Sequence, residues 1–207
     1  MSSLDAVLRL ARSAVITAAT IGALSLIGCA KDNQAEALAT LGEVPRFALK
    51  DQEGRAVTAA SLRGSPLVVA FMFTRCPTIC PRITASMRGL QSSAKSAKLP
   101  LKLLSISVDP ETDTPEVLKS YALKHGVDLA NWLFLSGDME STKATVIEGF
   151  KIALERRPNA DVDPAGIIHG SHLVLVDAEL KIRGYYRSEE PAALKKLLND
   201  AKLLLAK

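Results

Sequence analysis

The sequence predicts an α/β sandwich: a central mixed sheet flanked by helices, with a β-hairpin at its N-terminal end. Two observations carry this. Apolar runs of strand length alternate with segments of helical periodicity, and the order closes on two strands and a helix. A pair of cysteines also falls between the most apolar run and the helix after it, which places reactive side chains at one end of the sheet. At 207 residues the chain accommodates one packed domain and a tail.

The first 28 residues, MSSLDAVLRLARSAVITAATIGALSLIG, read as a secretory leader. Arg9 and Arg12 precede an uncharged stretch from Ser13 to Gly28, with small residues at its end. A permanent span needs about 20 predominantly apolar residues, and this Ala-, Thr- and Ser-rich stretch is shorter. Leu26-Ile27-Gly28-Cys29 resembles a bacterial lipobox, so Cys29 is the expected lipidation site and first residue of the mature chain. Residues 29–44 then read as a lipid-anchored tether, and residues 45–207 as the domain. An exported, membrane-anchored protein of the bacterial cell envelope, facing the periplasm, follows. Once Cys29 is an anchor, Cys76 and Cys80 remain as an even pair in an oxidising compartment.

Within the domain, Arg46 to Thr58 alternates around Asp51-Gln52-Glu53-Gly54 as a hairpin does. Leu67 to Phe73 is continuously apolar, as a buried central strand is. Ile83, Met87 and Leu90 recur at helical spacing after Pro81. Leu101 to Val108 is a second buried strand, followed by a helix with Thr114 as N-cap and Pro115 at its first position. Trp132 to Leu135 reads as a short strand and Ser141 to Leu154 as a helix. His172 to Val176 and Lys181 to Tyr186 pair around Asp177-Ala178-Glu179. Pro191 to Lys207 closes the chain as an amphipathic helix, with Leu194, Leu197, Leu198 and Leu205 on its apolar side.

The net charge of +4 is mild and the basic residues are scattered, which excludes a nucleic-acid-binding surface. A monomer is expected.

The stretch FMFTRCPTICP, Phe71 to Pro81, carries the chemistry. Each cysteine is followed by a proline, which disfavours helical backbone at the residue before it. The five residues Cys76 to Cys80 are therefore expected as a loop, with Cys80 near the N-cap and Pro81 in the first helical turn. Free N–H groups and the positive end of the helix dipole favour a thiolate there. Thioredoxin-like folds place reactive cysteines at this junction, although usually as Cys-x-x-Cys. Four readings stand: inert buried thiols, a structural disulfide, a redox pair and a metal clamp. Closing so short a loop gains little stability, and a close free dithiol oxidises in this compartment unless chemistry keeps it reduced.

A metal needs a further ligand, and the histidines are His125, His169 and His172. His125 falls at the end of the Thr114 helix, where a positive, solvent-facing ring suits the dipole. His169 and His172 flank Gly170-Ser171; on a continuous strand their odd separation sends them to opposite faces, so only one faces the cysteine loop. Two thiolates and one imidazole suit Cu(I), accept Cu(II) and also hold zinc.

The runs FMFTRCPTICP, SISVDPETDTPEVLKSYA and HGSHLVLVDAELKIRGYY, in this order, resemble the Sco/SenC family over the domain from about Pro45 onward. The resemblance implies a thioredoxin-like fold, a copper ion held by two cysteines and one histidine, and delivery of copper to the dinuclear centre of a cytochrome c oxidase subunit. On it, Cys76 and Cys80 are metal ligands that also form the disulfide. The family histidine lies eight residues before the residue ending its strand, and counting back from Asp177 gives His169 rather than His172. The second histidine departs from the family pattern and leaves open an exchange with His169 or a fourth ligand. Asp109 is expected to end a strand, Asp113 to cap the next helix, and Phe71 and Phe73 to lie in the core. Arg75 stands beside the first cysteine, either supporting a thiolate or lying at the surface.

A copper metallochaperone uses all three ligands. A thiol–disulfide oxidoreductase that reduces partner cysteines needs Cys76 and Cys80 alone. Thioredoxins place a cis-proline before the strand facing the disulfide; here the nearest upstream proline is Pro164 and His169 takes the adjoining stretch, which favours the chaperone. A peroxidase-like or copper-sensing relative without an oxidase client is a third reading.

Overall fold

The protein is described here by a computed structural model covering residues 38–206. Cys29 and the leader lie outside these residues. Ten strands and four helices follow in order: β1 (Gly42–Glu43), β2 (Ala48–Lys50), β3 (Ala56–Thr58), β4 (Leu67–Met72), α1 (Ile79–Ser96), β5 (Lys102–Ser107), α2 (Pro115–Lys124), β6 (Trp132–Leu135), α3 (Met139–Lys143), β7 (Leu154–Arg156), β8 (Ile167–His169), β9 (His172–Val176), β10 (Lys181–Arg187) and α4 (Pro191–Leu205).

Six strands form one mixed sheet in the order β1-β10-β9-β4-β5-β6. β4, β5 and β6 run parallel, Val69 facing Leu104 and Leu104 facing Leu133. Their crossovers contain α1 and α2, as parallel neighbours require. β9 pairs antiparallel with β4 and β10 with β9, so the final hairpin extends the sheet on its other side. Every residue of β4 is buried, which explains its unbroken apolar run. α1 packs on β4 and on α4, α4 on β10, and α2 on β6. The expected N-terminal hairpin is present as β2–β3.

Local signals hold at several ends. The Thr114 hydroxyl accepts from the Val117 N–H and caps α2, with Pro115 next. Ile83, Met87 and Leu90 are the buried face of α1. Phe71 is 1% exposed and meets Phe150 edge to face at 5.3 Å. It stands on the strand leading to the cysteine loop, so truncation empties the core directly beneath the site. Phe71→Ala is expected to cost about 3–5 kcal/mol in urea unfolding, and a loss below about 1 kcal/mol would show that the site's floor repacks freely.

Two segments differ from the expectation. The strand β1 pairs with β10 through Gly42↔Ile182 and Glu43↔Lys181, so the end of the stretch read as a tether belongs to the sheet. The helix expected over 141–154 ends early. After α3 the chain widens into a single π turn, Ala144–Gly149, and Lys151 takes a positive φ of 56°. Gly149 lies against the ring of Pro45, where a Cβ has no room. Val146, Phe150 and Ile152 are all buried, a spacing of four and then two that marks the change from helical to extended backbone. Leu154 then enters β7, which pairs with β8 as a small separate sheet.

Candidate metal centre

The cysteine loop joins the C-terminal end of β4 to the N-terminus of α1. The helix begins at Ile79, so Cys80 sits inside its first turn rather than ahead of it. Its N-cap residue, Thr78, provides no side-chain cap. The Cys76 sulfur takes that place, accepting from the Cys80 N–H at 3.5 Å. Cys80 is fully buried, and its sulfur accepts from the Phe73 N–H at 3.5 Å. The cysteines are not bonded to each other.

These contacts divide the pair. The Cys80 thiol, followed by the N–H groups of Cys80, Thr78 and Ile79, holds Cys76 down at about 5 despite partial burial. Cys80 is pushed strongly up by its hydrogen bond with Cys76, which needs the thiol proton, and by burial. Near neutral pH the loop therefore carries one thiolate, on Cys76, and one thiol, on Cys80.

His169 comes from the end of β8. Its Nε2 lies 3.5 Å from the Cys80 sulfur, and its Nδ1 lies 3.1 Å from the Gly170 carbonyl oxygen. A carbonyl only accepts, so Nδ1 carries the proton and Nε2 presents its lone pair to Cys80. Burial lowers the ring's pKa and keeps it neutral, against the weaker pull of the Gly170 carbonyl and Cys76. Phe73 packs against the imidazole with ring centroids 5.8 Å apart.

A thiolate, a thiol and a neutral, oriented imidazole form a donor set suited to a soft ion. Among the described residues, no three His, Cys, Asp or Glu side chains already stand in a closed metal-holding arrangement. The Cys80–His169 edge is in place, whereas the Cys76 sulfur is engaged with the helix N-terminus. An ion that took Cys76 as a ligand would replace those N–H contacts.

The other residues singled out in the sequence resolve differently. His172 opens β9, opposite Arg187, and makes no hydrogen bond to either sulfur. The chain breaks between the two histidines and puts them in different sheets, so separation by strand parity is not the operating cause. His125 is half-buried rather than a free positive cap. Its ring lies 4.2 Å from that of Tyr121, and burial with Lys124 and Arg88 lowers its pKa. Asp113 does not cap α2; fully buried, it accepts from Ser107 Oγ at 2.6 Å and from the Thr74 N–H at 3.1 Å, behind the cysteine loop. Asp109 is equally buried and lies between Arg75 and Arg156. Arg75 turns to that carboxylate rather than to open solvent. Sequence reasoning missed Arg156 and the β7–β8 hairpin: adjacent Arg157 is the same residue type, and a three-residue strand shows no alternation to read.

Residues 35–202 match the family described as SCO1/SenC. The chain is 33% identical to the SCO1 protein homolog of Bacillus subtilis, over 91% of this chain and 96% of that protein. It superposes on the crystal structure of a SCO1/SenC family lipoprotein from Bacillus anthracis with a TM-score of 0.73 and 32% identity, covering 79% of this chain and 95% of that one. The structure of Bradyrhizobium japonicum ScoI with copper bound gives a TM-score of 0.61 and 28% identity, over 78% of this chain and 98% of that one.

Proposed function

This chain belongs to the SCO1/SenC family, and on that premise we propose that it is a copper-binding metallochaperone that delivers copper to the dinuclear centre of a cytochrome c oxidase subunit. The observation that carries this reading is the approach of His169 Nε2 to the Cys80 sulfur. A dithiol reductase needs the two cysteines alone, whereas a soft-metal site also uses a neutral imidazole beside its sulfur. The copper-bound relative supports the choice of metal.

Copper is the cargo, as Cu(I) or Cu(II), and Cys76, Cys80 and His169 are its ligands. Cys76 is the first donor, since it is already ionised. Cys80 follows by giving up its proton, and His169 closes the set without releasing one. Delivery is ligand exchange toward the client, with Cys76, the less buried sulfur, as the leading edge. Loading the reduced protein with copper and counting neighbours by X-ray absorption tests this. Two sulfurs and one nitrogen agree with it; no retained copper would leave the oxidoreductase.

That second reading has a specific observation of its own, the low-pKa Cys76 thiolate beside a buried partner thiol. Such a pair is suited to attack a disulfide and resolve the product. The two roles share a dithiol and are compatible.

Cys29 anchors the protein in the cell envelope through a lipid, in the reading supported by its lipobox-like setting and by the lipoprotein relative. Cys29→Ser is expected to leave an exported form that partitions with the aqueous phase and carries no lipid mass. Identical partitioning of variant and wild type would count against the anchor.

A further inference from the structure

The site is assembled from two parts of the fold that share little backbone. Cys76 and Cys80 follow β4 of the six-stranded sheet, while His169 ends a hairpin that forms a sheet of its own. Among the described residues, no backbone hydrogen bond joins 154–169 to the six-stranded sheet. A buried carboxylate crosses the gap.

Asp109 is fully buried at the end of β5. Its Oδ2 accepts from Arg75 Nε at 2.7 Å, and its Oδ1 from Arg156 Nη1 at 2.8 Å. Arg75 is the residue before Cys76. Its other nitrogens donate to the carbonyls of Asp161 at 2.7 Å and Ala160 at 2.8 Å, in the loop between β7 and β8. Arg156 lies on β7 opposite Ile167, two residues before His169, and also binds Glu111 and Asp161. Asp109 is itself held from behind: its N–H donates to Ser107 Oγ at 3.0 Å, and that hydroxyl donates to Asp113, the acceptor of the Thr74 N–H.

We propose that Asp109 is the positioning residue of this site, tying Arg75 beside Cys76 to Arg156 on the histidine hairpin and so holding the imidazole within reach of the Cys80 sulfur. The consequence for copper rests on the function proposed above; the placement of His169 does not. Replacing this carboxylate by an amide leaves two guanidiniums sharing one neutral partner in a buried place. Arg75 keeps its two carbonyls. Arg156 keeps only Glu111 and Asp161, both well exposed, so β7 loses its buried tie while Arg75 still holds the loop at the hairpin's far end. The cysteine loop stays in place and the imidazole is no longer fixed against it.

The test measures copper affinity of the reduced full-length chain as wild type, Asp109→Asn, Arg156→Gln, His169→Ala and Asp109→Asn with His169→Ala. Losing a group that orients a ligand weakens metal binding by about 10–100-fold, and that loss is expected for Asp109→Asn and Arg156→Gln. In the His169→Ala background, Asp109→Asn should cost nothing more, because the ligand it positions is gone. An unchanged affinity, or a loss that adds to that of His169→Ala, would overturn the proposal.

A second readout needs no copper: the imidazole nitrogen chemical shifts of His169 in the reduced apoprotein, which report its contact with the Cys80 thiol. They are expected to move in both single variants toward those of a free ring. Unmoved shifts would overturn the positioning role. If wild type retains no copper, the chaperone reading falls and these shifts alone decide the matter. If Asp109→Asn does not fold, Arg156→Gln decides it, since that side chain is 20% exposed and its loss leaves no buried cation behind.

Discussion

Oxidation of Cys76 and Cys80 to a disulfide is expected to remove copper binding altogether, while the reduced protein should hold a single ion tightly. Both sulfurs are ligands in the proposed site, and a disulfide offers a metal no thiolate. The converse also holds. Copper on the proposed ligands would engage the sulfur lone pairs, so the loaded dithiol should resist alkylation, and the free protein should be labelled first at Cys76. That thiolate is held at about 5 by the Cys80 thiol and by N–H groups of the first helical turn, whereas Cys80 is pushed up. Burial keeps His169 neutral.

The pH dependence follows with its sign. Near neutral pH, Cys76 and His169 need no deprotonation, and Cys80 alone must give up a proton to the solvent. Each copper bound releases one proton near neutral pH, and affinity rises about tenfold per pH unit. As pH falls through about 5, Cys76 takes up a proton as well, the dependence steepens and copper is lost. Competition with a copper chelator across this range, with proton release followed by calorimetry in two buffers, measures both quantities. If the oxidised protein bound copper as well as the reduced one, Cys76 and Cys80 could not be the ligands. The protein would then be better described as a disulfide oxidoreductase with an incidental metal site.

The cysteine half of the site was legible in the sequence because its causes are local. Pro77 and Pro81 shape the loop, the Leu67–Phe73 run is buried on both faces, and the spacing of Ile83, Met87 and Leu90 fixes the inward side of α1. The histidine half was legible only through family resemblance. β8 has three residues, pairs with an equally short β7, and leaves no periodicity to read. The ties that position it span 34 residues from Arg75 to Asp109 and 47 from Asp109 to Arg156. Nothing local in the sequence distinguishes Arg156 from Arg157, because only the folded hairpin turns one toward Asp109 and the other outward. The same reason defeats the expected role of Asp113: its position suits a helix cap, yet Thr114 caps the helix and Asp113 is drawn inward by Ser107 and Thr74.

The two histidines give the sharpest separation. His169→Ala is expected to lower copper affinity by at least about 100-fold, more than losing a group that merely orients a ligand costs. His172→Ala should change it by less than about threefold, within what an uninvolved surface change produces. The difference comes from the break at Gly170-Ser171. His169 stays on the separate hairpin with Nε2 3.5 Å from the Cys80 sulfur, and His172 begins β9 inside the main sheet, opposite Arg187. Both variants should still oxidise to the Cys76–Cys80 disulfide, since that bond needs only the sulfurs. Oxidation competence thus shows that both thiols remain available, independently of metal. In His169→Ala, X-ray absorption should lose its nitrogen neighbour and keep two sulfurs. If His172→Ala instead carried the large loss and His169→Ala the small one, the nitrogen ligand would come from β9. The loop would then have to move on metal binding, because the imidazole now against Cys80 would have to leave before His172 could reach it.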